Sequence, residues 1–272
     1  CGGGCAVDDF QGTADEDGKT QFVFEKSGNY ILKEGVVDGS FITAGSKAGL
    51  RPGAMKVRDL DGDKKISESD RTIIGKTQPK FQGGFGLNAT YKWFDLTANF
   101  NFVVGNDVYN LDKMVTSQSY RNTYASLRQE MTPVTLGGKA WTYMDQATGE
   151  IITDYETLKN MNANASIWSA ATLSDNNPVP SSWAVEDGSF LRLQNLTVGF
   201  TFPKEWTKKF ACNSLRMYCT LTNLFCLTNY SGYDPEVNSS IRGSKTSGLT
   251  PGADFSSYPK SFSWTAGVNI SF

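Results

Sequence analysis

The chain has 272 residues, 39% of them hydrophobic and 12% aromatic, and 26 basic against 28 acidic residues leave a formal net charge of −2. That length holds one large all-β domain or two smaller ones, and the balanced, scattered charge leaves no footprint for nucleic acid. Histidine is absent, which removes His-based acid–base catalysis, Ser-His-Asp triads and His-ligated zinc or haem, and no run approaches the roughly 18 apolar residues of a transmembrane helix.

Residues 1–19 are rich in Gly and Asp and read as loop. Cys1 and Cys5 flank three glycines, as a small disulfide loop or a flexible start; a cysteine at position 1 is also the residue acylated in mature lipoproteins. Short strands are expected at Thr20–Glu25 and Tyr30–Lys33, and residues 35–58 are irregular and punctuated by glycine. The first division of the chain is therefore a loop-rich segment with short strands over 1–58.

Residues 59–70 fit the register of a twelve-residue calcium loop. Oxygen donors fall at its first, third, fifth, ninth and twelfth positions, namely Asp59, Asp61, Asp63, Ser67 and Asp70, and Lys65 offers its backbone carbonyl at the seventh. Ile66 fills the apolar eighth position. Four carboxylates this close repel one another unless a cation neutralises them, so a structural Ca2+ is the expected cofactor. Two departures count against it. Lys64 stands where a left-handed backbone favours glycine, at a cost of roughly 1–2 kcal/mol, and Asp70 is shorter than the usual bidentate Glu. The alternative is a solvated acidic turn with Lys64, Lys65 and Arg71 as counterions.

The remainder, 71–272, is expected to be strands joined by long loops. Gly84–Trp93 alternates without a break: Phe85, Leu87, Ala89, Tyr91 and Trp93 share one face, and Gly86, Asn88, Thr90 and Lys92 the other. Phe94–Phe102 repeats the pattern after a tight turn near Trp93-Phe94. A long connection, 106–187, follows, with a helix expected over Asp112–Met131. Strand character resumes at Phe190–Phe202, where Leu196, Val198, Phe200 and Phe202 face one way, and again at Leu215–Phe225, with Cys219 in line with the apolar residues. A second long loop, 226–260, leads to a terminal strand that alternates from Phe262 to Phe272.

Strands of about ten residues with apolar-out, polar-in alternation and aromatic ends are the signature of a transmembrane β-barrel. Soluble sheets alternate too; several such strands together favour the membrane, and hence transport rather than catalysis. About six strands are expected, fewer than the eight or so at which barrels begin to close. The fold expected is all-β: the C-terminal strands of a large transmembrane barrel with long extracellular loops, incomplete without further strands.

The motifs carry a resemblance. Arg58–Gly75 (RDLDGDKKISESDRTIIG), Pro79-Lys80-Phe81, the strand pair, Gly105–Asn110 (GNDVYN), Asp187–Asn195 (DGSFLRLQN), Thr222–Phe225 (TNLF), Tyr230–Glu236 (YSGYDPE) and Tyr258–Phe272 resemble, in order, the last part of SusC/RagA-type TonB-dependent transporters of Bacteroidetes. The resemblance covers roughly residues 30–272. It implies an integral outer-membrane location and import of glycan fragments or peptides, driven through TonB. It also implies a SusD-like surface lipoprotein as a lid, outer-membrane lipid around the strands, and a plug and earlier barrel strands supplied from elsewhere. Barrels of this kind have about 22 strands around a plugged lumen, of which this chain would supply roughly the last quarter.

Side chains for substrate or lid contact are Trp141, Tyr143, Trp168 and Trp183, whose flat faces suit sugar rings but equally pack a loop on itself, and Tyr233 and Asp234, where Asp-Pro also simply sets a turn. The rival reading is a soluble or lipid-anchored extracellular calcium-binding β-module that binds carbohydrate.

Overall fold

The computed structural model describes residues 6–14, 20–22, 30–43, 50–116, 139–143, 145, 147–152, 154–169, 180–236, 252–255 and 257–272. Contacts divide the chain into two units, Cys1–Ile74 with Leu111–Ala184, and Gly75–Asn110 with Val185–Phe272. The middle of the long loop does not follow the strands, however; it belongs with the N-terminal segment.

The first unit contains the antiparallel pair β1 (Gly12–Ala14) and β2 (Thr20–Phe22), and short helices α1 (Ser40–Thr43), α2 (Leu111–Thr116) and α3 (Tyr155–Met161). Its core gathers Val7, Phe10, Leu50, Ala54, Trp141, Tyr155 and Leu158. Helix α3 starts where Asp154 accepts hydrogen bonds from the Thr157 amide and hydroxyl, satisfying an otherwise orphaned donor. Tyr155 and Leu158, three apart, turn one face into the core. The helix stops at Asn162, whose side-chain amide donates to Leu158 O and Thr142 O while its oxygen accepts from Thr142 N. Among the described residues no helix is long and apolar enough to cross a membrane.

The second unit is built on five antiparallel strands: β3 (Phe81–Tyr91), β4 (Phe94–Val104), β7 (Phe190–Thr201), β8 (Ser214–Thr228) and β10 (Ser263–Ser271). They lie in the order β10-β8-β7-β4-β3, so each of these five strands pairs with the next of them in the chain. A smaller sheet, β6-β5-β9, joins β5 (Asp107–Asn110), β6 (Val185–Asp187) and β9 (Ala253–Asp254). A short helix, α4 (Lys204–Thr207), links β7 to β8.

Register carries the alternation of single strands across the whole sheet. Leu87 pairs with Ala98, Ala98 with Leu196, Leu196 with Leu221 and Leu221 with Trp264. Two same-face steps towards the tight-turn end, Tyr91, Phe94, Phe200, Met217 and Val268 form another apolar row. Many of these side chains lie open, Leu87 at 55% and Trp264 at 67%. The opposite face is polar, with Asn88, Thr97, Thr197, Thr220 and Thr265 in one row. Register shifts beside Leu193 and Asn195, a β-bulge that changes the phase of alternation within β7.

Some expected elements differ. Tyr30–Lys33 forms no strand; Leu32 makes an isolated bridge to Phe10. The helix expected at Asp112–Met131 begins at Leu111 and is described through Thr116, and 117–131 lie outside the described residues. So do Cys1, Cys5 and the end of the strand expected at Thr20–Glu25. The turn between β3 and β4 falls on Lys92-Trp93, and Lys92 takes the left-handed backbone, φ 54°.

Candidate functional site

On the polar face Asp95 and Arg216 form a two-pronged ion pair, Arg216 Nη2 to Asp95 Oδ2 at 2.5 Å and Nε to Oδ1 at 3.1 Å. They stand on β4 and β8, with β7 between them, so the pair spans a strand. Gly199 of β7 lies beneath, and a Cβ there would collide with both partners. Gly267 of β10 leaves the same kind of room for the Tyr218 ring, while the Arg216 guanidinium sits 5.3 Å from that ring's centroid.

A second charged group fastens the loop end. Arg192 Nη2 meets Asp234 Oδ1 at 2.5 Å, and the two side chains are only 5% and 7% exposed. A buried pair needs further partners to offset its desolvation. Asp234 accepts from the amides of Glu236 and Lys260, and Glu236 holds Lys260 Nζ at 2.5 Å and Arg192 Nε at 3.4 Å. Asp234 therefore helps to hold the loop base, whereas Tyr233 beside it is 71% exposed. Nearby, Tyr230 donates to the buried Asp254 carboxylate at 2.6 Å. Sequence reasoning missed Arg192; its only signal was a charge in an otherwise apolar stretch.

In the carboxylate loop, oxygens of Asp59, Asp61 and Asp63 lie within 4.8 Å of one another. Oxygens around one Ca2+ at 2.3–2.6 Å stand no more than about 5 Å apart, so these three fit a single cation. The backbone is wound accordingly. Asp59 accepts from the amides of Gly62 and Lys64, Asp63 from Lys65, and Asp70 from Leu60 and Ser67. Lys64 adopts the left-handed conformation that its position demands, φ 65°. Hydrogen bonds from Asp38 N to Lys64 O and from Ile66 N to Asp38 O anchor the loop.

The amides of Leu60 and Ser67 hold the Asp70 carboxyl below its ordinary range. The Asp63 amide works in the same sense on Asp61, but desolvation and the charges of Asp63, Asp70 and Asp59 outweigh it, and the Asp61 carboxyl is pushed up. That is the electrostatic mark of crowded carboxylates. Ser67 spends its hydroxyl as an acceptor for the Ser69 amide.

The loop aromatics serve packing. Trp141 and Trp168 are 6% and 0% exposed, so neither offers a face to a sugar. Trp141 makes an edge contact with Tyr143 at 4.5 Å and lies against Gly53, and Trp168 meets Trp183 edge-on at 4.7 Å. Tyr143 donates to Pro52 O, and Trp183 carries Lys113 over its ring at 4.5 Å.

Comparison with known proteins decides what kind of sheet this is. TonB-dependent receptor P3 of Formosa agariphila is 28% identical over 94% of this chain and 25% of its own length. TonB-dependent receptor P39 of the same organism is 30% identical over 82% of the chain and 19% of its own length. The chain is a relative of TonB-dependent receptors. TonB-dependent receptor SusC of Bacteroides thetaiotaomicron is 24% identical over 79% of the chain and 17% of its own length, which bears out the resemblance drawn from the motifs. The chain spans a quarter or less of the length of these receptors.

Among solved structures, the RagAB peptide transporter superposes with a TM-score of 0.53 at 21% identity, over 94% of this chain and 23% of that one. The "open-open" state of the RagAB peptide importer gives 0.52. The fold is thus that of one portion of such a receptor barrel. No protein-family model matches the chain.

Proposed function

We propose that this chain is a barrel segment of a TonB-dependent importer in the outer membrane. The observation that carries the proposal is the apolar face that continues across all five strands, with many of its side chains exposed, backed by a polar face. Those strands have 11, 11, 12, 15 and 9 residues, and a tilted strand needs about 9–11 to cross a bilayer. The apolar face meets lipid; the polar face, with Asp95–Arg216, lines the lumen. The long loops 106–187 and 226–260 are external, since such barrels keep their tight turns on the periplasmic side. The remaining strands and the plug complete the barrel, TonB supplies the drive, and a SusD-like lipoprotein covers the outer mouth.

Substrates are glycan fragments or peptides, the latter favoured by the likeness to a peptide transporter. The protein binds and passes its cargo without chemistry on it. The carboxylate loop holds a structural Ca2+ through Asp59, Asp61 and Asp63, with the Lys65 carbonyl, Ser67 and Asp70 completing the set.

Carbonate and urea washing of membranes from the native source tests the location. The polypeptide carrying this sequence is expected to stay with the outer-membrane fraction and to leave it only in detergent. Release into the wash would sink the barrel reading in favour of a soluble β-module.

A further inference from the structure

The tight-turn end of the sheet carries a basic, aromatic ledge that none of the functions above uses. Trp93 of the β3–β4 turn and Trp206 of α4 lie with ring centroids 6.4 Å apart. Phe202 joins Trp206 at 6.3 Å and Phe200 at 4.9 Å, and Phe200 meets Phe94 at 4.8 Å, so the cluster runs straight into the apolar face. Trp206 is 52% exposed. Around it Lys92, Lys204, Lys208 and Lys209 are all exposed, and Glu205 is the one acid within α4 and its 3-10 extension, Lys208–Phe210. None of these lysines makes an ion pair among the described residues.

The link is also fastened in place. Asn213 N donates to Ser271 O at 2.7 Å, Phe202 N to Leu215 O at 2.9 Å, and Ala211 turns the chain back with φ 54°.

We infer that this ledge binds the headgroup phosphates of anionic phospholipid in the leaflet at the tight-turn side. The inference rests on the membrane reading above. Three things on the ledge point to this occupant: it is continuous with the lipid-facing rows, its tryptophans have the amphipathic body that settles at headgroup level, and its net positive charge, four lysines against Glu205, matches phosphate. Lys92 Nζ lies 5.3 Å from the centroid of the exposed Tyr91 ring. The partner is a lipid surface, and Lys204, Lys208 and Lys209 give it a sign preference that aromatics alone would not.

The full receptor carrying this segment, reconstituted in phosphatidylcholine vesicles containing phosphatidylglycerol, provides the test. Bromine is placed on the acyl chains of one lipid or the other, and the signal lost in Trp206→Phe isolates the Trp206 contribution. Trp206 is expected to be quenched by shallow bromines, and brominated phosphatidylglycerol is expected to outdo brominated phosphatidylcholine by about fivefold at equal content, the enrichment one lysine gives near an anionic surface. A Lys204→Gln/Lys208→Gln/Lys209→Gln variant should lose that preference and keep the quenching.

Equal quenching by both lipids would overturn the headgroup preference. Quenching at Trp264, isolated through Trp264→Phe, with none at Trp206 would show that the ledge does not meet lipid although the barrel does. Absence of quenching at both positions would bring down the membrane reading itself.

Discussion

Gly199 shows how far a single hydrogen in place of a side chain reaches. The ion pair it underlies joins residues 121 apart in the chain, and the strand between them can hold no Cβ at that point. Gly199→Val is expected to lower the stability of the folded sheet by about 1–3 kcal/mol through overpacking, read as a drop in the unfolding midpoint in detergent. In an Asp95→Ala/Arg216→Ala background the same substitution should cost less than half as much, because its collision partners are gone. An equal cost in both backgrounds would mean that the glycine serves the backbone alone. The register places Gly199 beside Asp95 on the polar face, but the sequence could not reveal the pair, since nothing local connects Asp95 with Arg216. Likewise Asp234 read as a loop acid because its partner, Arg192, lies on β7, 42 residues earlier in the chain.

Among the elements, the carboxylate loop was legible in its backbone, because its register is local: Lys64 adopts the left-handed turn that its position required. Its charge makes a two-sided expectation. Without a cation Asp61 is crowded by Asp59, Asp63 and Asp70, so Asp61→Asn should raise the thermal midpoint of the loop-bearing unit in chelator at neutral pH. In millimolar calcium the same change should lower it relative to wild type, and calorimetric titration should show weaker Ca2+ binding. A midpoint indifferent to calcium in the unsubstituted protein would mark the loop as a solvated acidic turn. Strand parity was also legible, except at the bulge: Leu191 and Leu193 keep one phase and Leu196, Val198 and Phe200 the other. A reading that takes Phe190–Phe202 as one uniform strand passes over that break. The loop aromatics were ambiguous for a general reason, since a tryptophan's sequence neighbours do not say whether its face is covered.

At the scale of the whole molecule, the described residues form two units with different chemistry, and pH should separate them. In the first, Tyr155 is buried and its hydroxyl donates to Asp8 at 2.8 Å; burial, then the Asp8 contact, pushes its pKa up to about 12. The unfolded value is about 10. The stabilisation is therefore fully present below pH 10 and drains away as pH rises through 12. Lys159 and Tyr155 hydrogen-bond the Asp8 carboxylate and hold it below its ordinary value, so that contribution is present above about pH 4 and fades in stronger acid. Unfolding followed from pH 9 to 12 should show a falling midpoint for the first unit, and Tyr155→Phe should flatten that slope. An unchanged slope in the variant would assign the alkaline loss to another group.

The division of the first unit has a consequence for the order of assembly. Its core joins Val7 and Phe10 to Tyr155 and Leu158, and 147 residues separate the two ends of the Asp8–Tyr155 bond. Between them the chain makes the whole β3–β4 hairpin. Contacts of such long range come late, after the loop they close has been given up as entropy. On the membrane reading, the N-terminal half of this unit must wait, incomplete, until a hairpin has been threaded and the chain has returned with Trp141 and Tyr155. The finished unit is then a clasp, shut only by a chain that has already been across and back.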